Sequence, residues 1–180
     1  MAEEHPDDAR ERFEALAAEV VEPVRRFLAR RTDPHTADDV LAETLLVCWR
    51  RLDQVPDNAL PWVYGVARNC LSNIQRGDRR QVRLAARITA VDPPREAQAG
   101  PDEPDERVTA ALAALRPEDA ELLRLWAWEQ LGPAEIAEVL GITPNAASIR
   151  LHRVRGKFVD ELRKIDGGAG HEEAREGRGT

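Results

Sequence analysis

Near the start of the chain, apolar residues recur at steps of three and four: Phe13, Leu16, Ala17, Val20, Val24, Phe27 and Leu28. That period places them on one stripe of an amphipathic helix, with the intervening charges facing solvent. Pro23 falls inside the pattern and is expected to bend the helix. A second helix is expected after Thr36, whose hydroxyl can cap free amides while Asp38 and Asp39 occupy the first turn; it runs to about Leu52. Val55 to Asn58 reads as a turn. A third helix then continues to about Arg80, with Pro61 near its start and a seam of Val63, Val66, Ala67, Cys70 and Ile74. Three such helices can close a small bundle over residues 8–82.

The pattern breaks at Asp92–Asp105, DPPREAQAGPDEPD, where four prolines stand among acids and small residues. Such a segment cannot bury enough apolar surface to repay ordering, so residues 83–105 are expected to be a flexible acidic linker. Beyond it, Val108, Leu112 and Leu115 mark a fourth helix, Leu122–Trp128 a fifth, Ala134–Leu140 a sixth, and Thr143 opens a seventh. Residues 106–166 form this second module, and the Gly-rich end, 167–180, reads as a disordered tail. No alternating strand pattern occurs. The expected fold is all-α: two small helical modules joined by a flexible Pro-rich acidic linker.

The second module carries the parts of a helix-turn-helix in order, from Ala134 to Arg155. Ala137 is small where two helices must cross, Gly141 permits a left-handed turn, and Thr143-Pro144 pairs a cap with proline at the first helical position. On the seventh helix Ala147, Leu151, Val154 and Phe158 form the inward seam. Asn145, Ile149, His152 and Arg153 then point away from it, flanked by Ser148, Arg150 and Arg155. These are base-edge and phosphate donors, and Ile149 suits a thymine methyl in the major groove.

Composition narrows the reading. The chain has 180 residues, 33 acidic and 26 basic, for a net charge of −7, so it does not coat nucleic acid indiscriminately. Position reverses the sign locally. Ile149–Lys164 holds six basic and two acidic residues, and Arg68–Arg87 six arginines against Asp78. Cys48 and Cys70 fit a reducing compartment, and without an apolar leader or membrane-length run the expected location is cytoplasmic. His5, His35, His152 and His171 are scattered, the cysteines lack metal spacing, and no phosphate loop or nucleophile turn occurs. Neither an enzyme, nor a metal, nor a cofactor is expected.

On the third helix, Trp62, Asn69 and Arg76 share one stripe beside Arg68, Ser72, Gln75, Arg79 and Arg80. An aromatic platform with basic groups suits unpaired bases, although Trp62 could instead cover the end of the bundle. At this point the chain resembles bacterial RNA polymerase sigma factors of the extracytoplasmic-function group. ADDVLAETLLVCWRRLD resembles the family's polymerase-binding helix, LPWVYGVARNCLSNIQRGDRR its minus-ten segment, and EIAEVLGITPNAASIRLHRVR its minus-thirty-five reader.

The resemblance implies that Asp39, Glu43, Leu46 and Arg50 dock on core RNA polymerase. It implies that Asp57 and Asn58 capture a flipped minus-ten base while Trp62, Arg68, Asn69, Arg76, Arg79 and Arg80 hold the separating strands. The minus-thirty-five contacts fall to Asn145, Ser148, Ile149, Arg150, His152, Arg153 and Arg155. Core polymerase, promoter DNA and an anti-sigma protein are the implied partners, with no membrane insertion. Ala147 and Ile149 depart from the β-branched residue and the serine common in the family, which affects the bases read. The competing reading is a helix-turn-helix regulator of duplex DNA with no polymerase docking; it leaves the Trp62–Arg80 stripe unexplained.

Overall fold

The computed structural model describes the backbone of residues 6–85 and 105–176, and the side chains of residues 7–77 and 105–166. Seven α-helices and one short 3-10 turn make up the described residues, which contain no strand. The chain divides into two compact units between Gly100 and Pro101. The segment expected to be a linker lies, from 86 to 104, outside the described residues.

The first unit packs three helices, α1 (Pro6–Ala29), α2 (Pro34–Arg50) and α3 (Ala59–Ala85), each against the other two. Its core is the predicted α1 stripe, with Leu16, Val20, Val24, Phe27 and Leu28 buried, closed by Val40, Leu41 and Cys48 from α2 and by Val63, Tyr64, Ala67, Cys70 and Leu71 from α3. Phe27 stacks on Tyr64 with ring centroids 5.0 Å apart, and the Arg31 guanidinium lies 3.6 Å above the Phe27 ring. Thr44 enters this core because its hydroxyl donates to the Val40 carbonyl one turn earlier, at 2.7 Å, which satisfies the buried polar group. Burial pushes the Cys48 thiol up to about 11 and raises Cys70 as well.

The start of α2 corrects the expected cap. Asp33, not Thr36, is the N-cap, its Oδ1 accepting from the Thr36 amide at 3.1 Å. Pro34 explains the shift, since its fixed φ and missing N–H suit the first helical position and draw the helix start forward. Asp38 and Asp39 consequently lie beyond the first turn, which holds no acidic residue. Helix α2 ends at Arg50, before the expected Leu52, and the chain continues as a 3-10 turn over Leu52–Gln54. Helix α3 continues to Ala85, past the expected boundary near Arg80, because no proline or glycine interrupts Arg79–Ala85. Val66 and Ile74 are half-buried edges of its seam.

The second unit contains α4 (Glu106–Ala113), α5 (Pro117–Ala127), α6 (Pro133–Leu140) and α7 (Pro144–Glu176). Helix α7 packs against the other three, and Leu122, Leu125, Ile136, Ala137, Ala147, Leu151 and Val154 fill the space between them. The backbone of α7 stays helical past Asp166 to Glu176, where a disordered tail was expected; the good helix formers of Glu172–Glu176 oppose the glycines before them.

Candidate nucleic-acid interface

The helix-turn-helix is built by three local devices. Glu135 reaches back to accept the Gly132 amide at 2.7 Å, holding the start of α6. Gly141 then takes φ 65° and ψ 38°; its amide bonds to the Glu138 carbonyl at 3.3 Å and the Ile142 amide to the Ala137 carbonyl at 3.0 Å. This double closure stops α6 and needs a residue at ease in the left-handed region. Finally, Thr143 Oγ1 accepts the Ala146 amide at 3.2 Å and caps α7. Ala137 is buried at the crossing, as its size requires.

With Ala147, Leu151 and Val154 buried, rotation of α7 leaves Asn145, Ser148, Ile149, His152, Arg153 and Arg155 on the outside, and all six are exposed. Ile149 keeps 44% of its surface in contact with solvent. The flanking cations are engaged. Arg155 lies 4.6 Å over the Trp126 ring, and half-buried Arg150 stands 3.9 Å from Asp119 Oδ1. Arg153 makes no ion pair among the described residues and projects freely.

In the first unit, Asp39, Glu43, Leu46 and Arg50 are all exposed, on steps of four, three and four along α2. His35 Nδ1 stands 3.3 Å from Asp39 Oδ2. The imidazole is raised from its ordinary value, chiefly by a backbone hydrogen bond and next by the Asp39 charge. Asp57 and Asn58 are exposed in the turn before α3. On α3 itself, Trp62, Arg68, Ser72 and Gln75 are half-buried, whereas Asn69 and Arg76 are exposed. Arg76 donates to the Ser72 carbonyl at 3.0 Å and to Asn73 Oδ1 at 3.0 Å, which lays it along the helix. Arg79 and Arg80 are on the described backbone, but their side chains lie outside the described residues.

The family described as Sigma-70, region 4 matches residues 105–158, which span α4 to the middle of α7. RNA polymerase sigma factor CarQ of Myxococcus xanthus is 31% identical over 167 residues, covering 89% of this chain and 94% of that protein. The ECF RNA polymerase sigma factor SigL of Mycobacterium tuberculosis is 31% identical over 137 residues, covering 71% of this chain and 75% of its own. The chain belongs to the extracytoplasmic-function RNA polymerase sigma factors. The fold of this sigma factor is also that of the sigma factor RpoE from Bartonella quintana, solved in complex with the anti-sigma factor NepR: the TM-score is 0.63 at 20% identity, over 86% of this chain and 98% of that one.

Three features of this sigma factor went unmarked in the sequence. Trp49 is 45% exposed on α2, set edge-on to Phe13 with centroids 5.2 Å apart. Exposed Trp126 borders an apolar groove of about 310 Å³, lined also by Val108, Leu112, Leu123, Phe158 and Val159. Asp119 is a buried acid between two cations of α7. An aromatic next to an apolar seam reads as core until packing shows which edge stays open. Asp119 lies ahead of the fifth-helix start expected from the sequence, and its partners are 31 and 38 positions away in the chain. Among the described residues, no helix is long and apolar enough to cross a membrane.

Proposed function

We propose that this sigma factor is a dissociable two-module specificity subunit in which each exposed face described above holds a different partner. The α2 face of Asp39, Glu43, Leu46 and Arg50 docks on core RNA polymerase. Asp57 and Asn58 take an unstacked minus-ten base, and Trp62, Arg68, Asn69, Arg76, Arg79 and Arg80 hold the opened strand by stacking and charge. Helix α7 enters the minus-thirty-five major groove with Asn145, Ser148, Ile149, His152, Arg153 and Arg155, while Arg150 stands at its edge. Promoter opening is differential binding to the melted form, so the chain supplies no bond chemistry. It acts in the cytoplasm, beside the polymerase.

The observation that carries this reading is the outward face of α7, where a large apolar side chain, Ile149, is exposed between polar and cationic groups on a helix whose opposite seam is buried. Water gives Ile149 no partner; a thymine methyl does. Because the whole chain is acidic, affinity for promoter DNA is weak alone and strong once polymerase holds both modules on one duplex. The Bartonella relative was solved with an anti-sigma factor, and we extend that to this chain: such a partner would cover the same exposed faces.

Purified core RNA polymerase mixed with this protein tests the reading, scored by complex formation and promoter-dependent initiation. Asp39→Arg is expected to abolish both with helix content unchanged, and Arg153→Glu to spare core binding while weakening promoter binding. Failure of the wild-type protein to bind a competent core overturns the reading in favour of a regulator acting on duplex DNA alone.

A further inference from the structure

Asp119 is the third residue of α5, and its side chain is only 12% exposed. Its Oδ2 accepts from Lys157 Nζ at 3.0 Å, and its Oδ1 stands 3.9 Å from Arg150 Nη2. Arg150 and Lys157 are seven residues apart on α7, two turns along the same face, so one carboxylate faces two cations of the reading helix. A buried carboxylate requires such compensation. The consequence for α7 is twofold. The helix is tied to α5 at the border between the buried seam and the outward face, and two of its cations lean towards the Asp119 carboxylate while part of each side chain stays exposed.

Resting on the interface proposed above, we infer that Asp119 is a positioning residue for promoter discrimination: it sets the rotation of α7 and withholds Arg150 and Lys157 from the DNA phosphates. Base-edge groups then dominate binding. Phosphate contacts carry no sequence information, whereas correctly aimed side chains do. Removing the Asp119 charge is therefore expected to raise affinity for any DNA while lowering preference for the right one. A mere brace between α5 and α7 would not do this; its loss would weaken binding to every sequence.

The test uses the full chain assembled with core polymerase. Its probes are a duplex bearing the minus-thirty-five bases that the wild-type complex selects from a randomised pool, and the same duplex with those bases scrambled. Asp119→Asn is expected to steepen the dependence of log affinity on log salt by about 2, two added phosphate contacts, and to lower the selected-to-scrambled ratio by about tenfold as α7 loses its aim at the base edges. Adding Arg150→Gln to that variant should remove about half of the extra steepness. Equal weakening on both duplexes with an unchanged salt slope overturns the inference, as does no change at all. Lys157→Gln keeps the carboxylate and serves if Asp119→Asn misfolds: its salt slope should equal that of the wild type, and a slope lower by about 1 would mean that Lys157 contacts phosphate and the inference is wrong. A wild-type complex that selects no sequence overturns the interface itself; wild-type selection with an unaltered Asp119→Asn variant overturns only the role given to Asp119.

Discussion

Replacing Gly141 isolates the backbone cost of the helix-turn-helix. Its φ of 65° lies in the left-handed region, and a Cβ added there would meet nothing within 4 Å. Steric contact with neighbours is thereby excluded, and the penalty is intrinsic. An L-residue in this conformation costs roughly 1–2 kcal/mol, and the reduced freedom of the unfolded chain returns roughly 0.4–1 kcal/mol. Gly141→Ala should then destabilise the turn by about 1 kcal/mol, or about fivefold in local opening. Gly141→Asn should cost less, because Asn tolerates left-handed backbone, and Gly141→Val more, because a β-branched residue does not. Amide hydrogen exchange of α6 and the first turns of α7, followed by mass spectrometry, reads this opening directly. Promoter affinity should fall in the same order, with core binding unaffected. Equal protection in the Gly, Ala and Val proteins would refute the reasoning, since it would mean that the turn relaxes out of the left-handed region at no cost.

Phe27→Ala removes a fully buried ring that stacks on Tyr64 and lies under Arg31, so it should cost about 3–5 kcal/mol in urea unfolding of the first unit; a loss below about 1 kcal/mol would mean the cavity collapses freely. Cys48 is fully buried with its thiol held up at about 11, so at pH 8 it should react with a thiol reagent only as fast as the protein opens, and labelling at the rate of an unfolded peptide would contradict its burial. Stability tied to this thiol is present below its ordinary value of 9.0 and is lost as the pH rises from there towards 11, because the unfolded chain ionises first. Asp33→Ala should cost about 1 kcal/mol through the lost cap of α2. The Thr36 hydrogen bonds lower the Asp33 carboxyl, so the cap contributes fully above the ordinary value of 3.8 and fades as pH falls through the lowered one; thermal melts of wild type and Asp33→Ala should therefore converge in acid.

Much of this architecture was legible in the chain because helices are local objects. The α1 stripe, the α7 seam and the glycine turn at Gly141 each depend on residues within about two helical turns of one another, and all three form, with Phe13, Ala17 and Phe158 only half-buried at the edges of the stripe and the seam. The α2 cap was missed because Asp33 and Thr36 are both competent caps, and Pro34 decides between them through the backbone geometry it fixes. The end of α5 gave less warning still. Gln130 takes φ 56°, a conformation that glutamine rarely adopts, and the Leu131 amide closes the turn on the Leu125 carbonyl at 3.1 Å.

The sequence by itself determined that the described residues are helical, where α6 turns into α7, and which face of α7 looks outward, since periodicity and turn chemistry act over short separations. Tertiary structure alone decided which cations of that helix are free. Arg150, Arg153 and Arg155 are equivalent as letters, yet one stands near Asp119, one projects freely and one lies over Trp126. The same holds for Trp49, whose apolar surface stays exposed because the three-helix core closes without it. Charge and apolar area become function only once packing has settled which groups already have a partner, and those partners lie too far apart in sequence for any local pattern to reveal them.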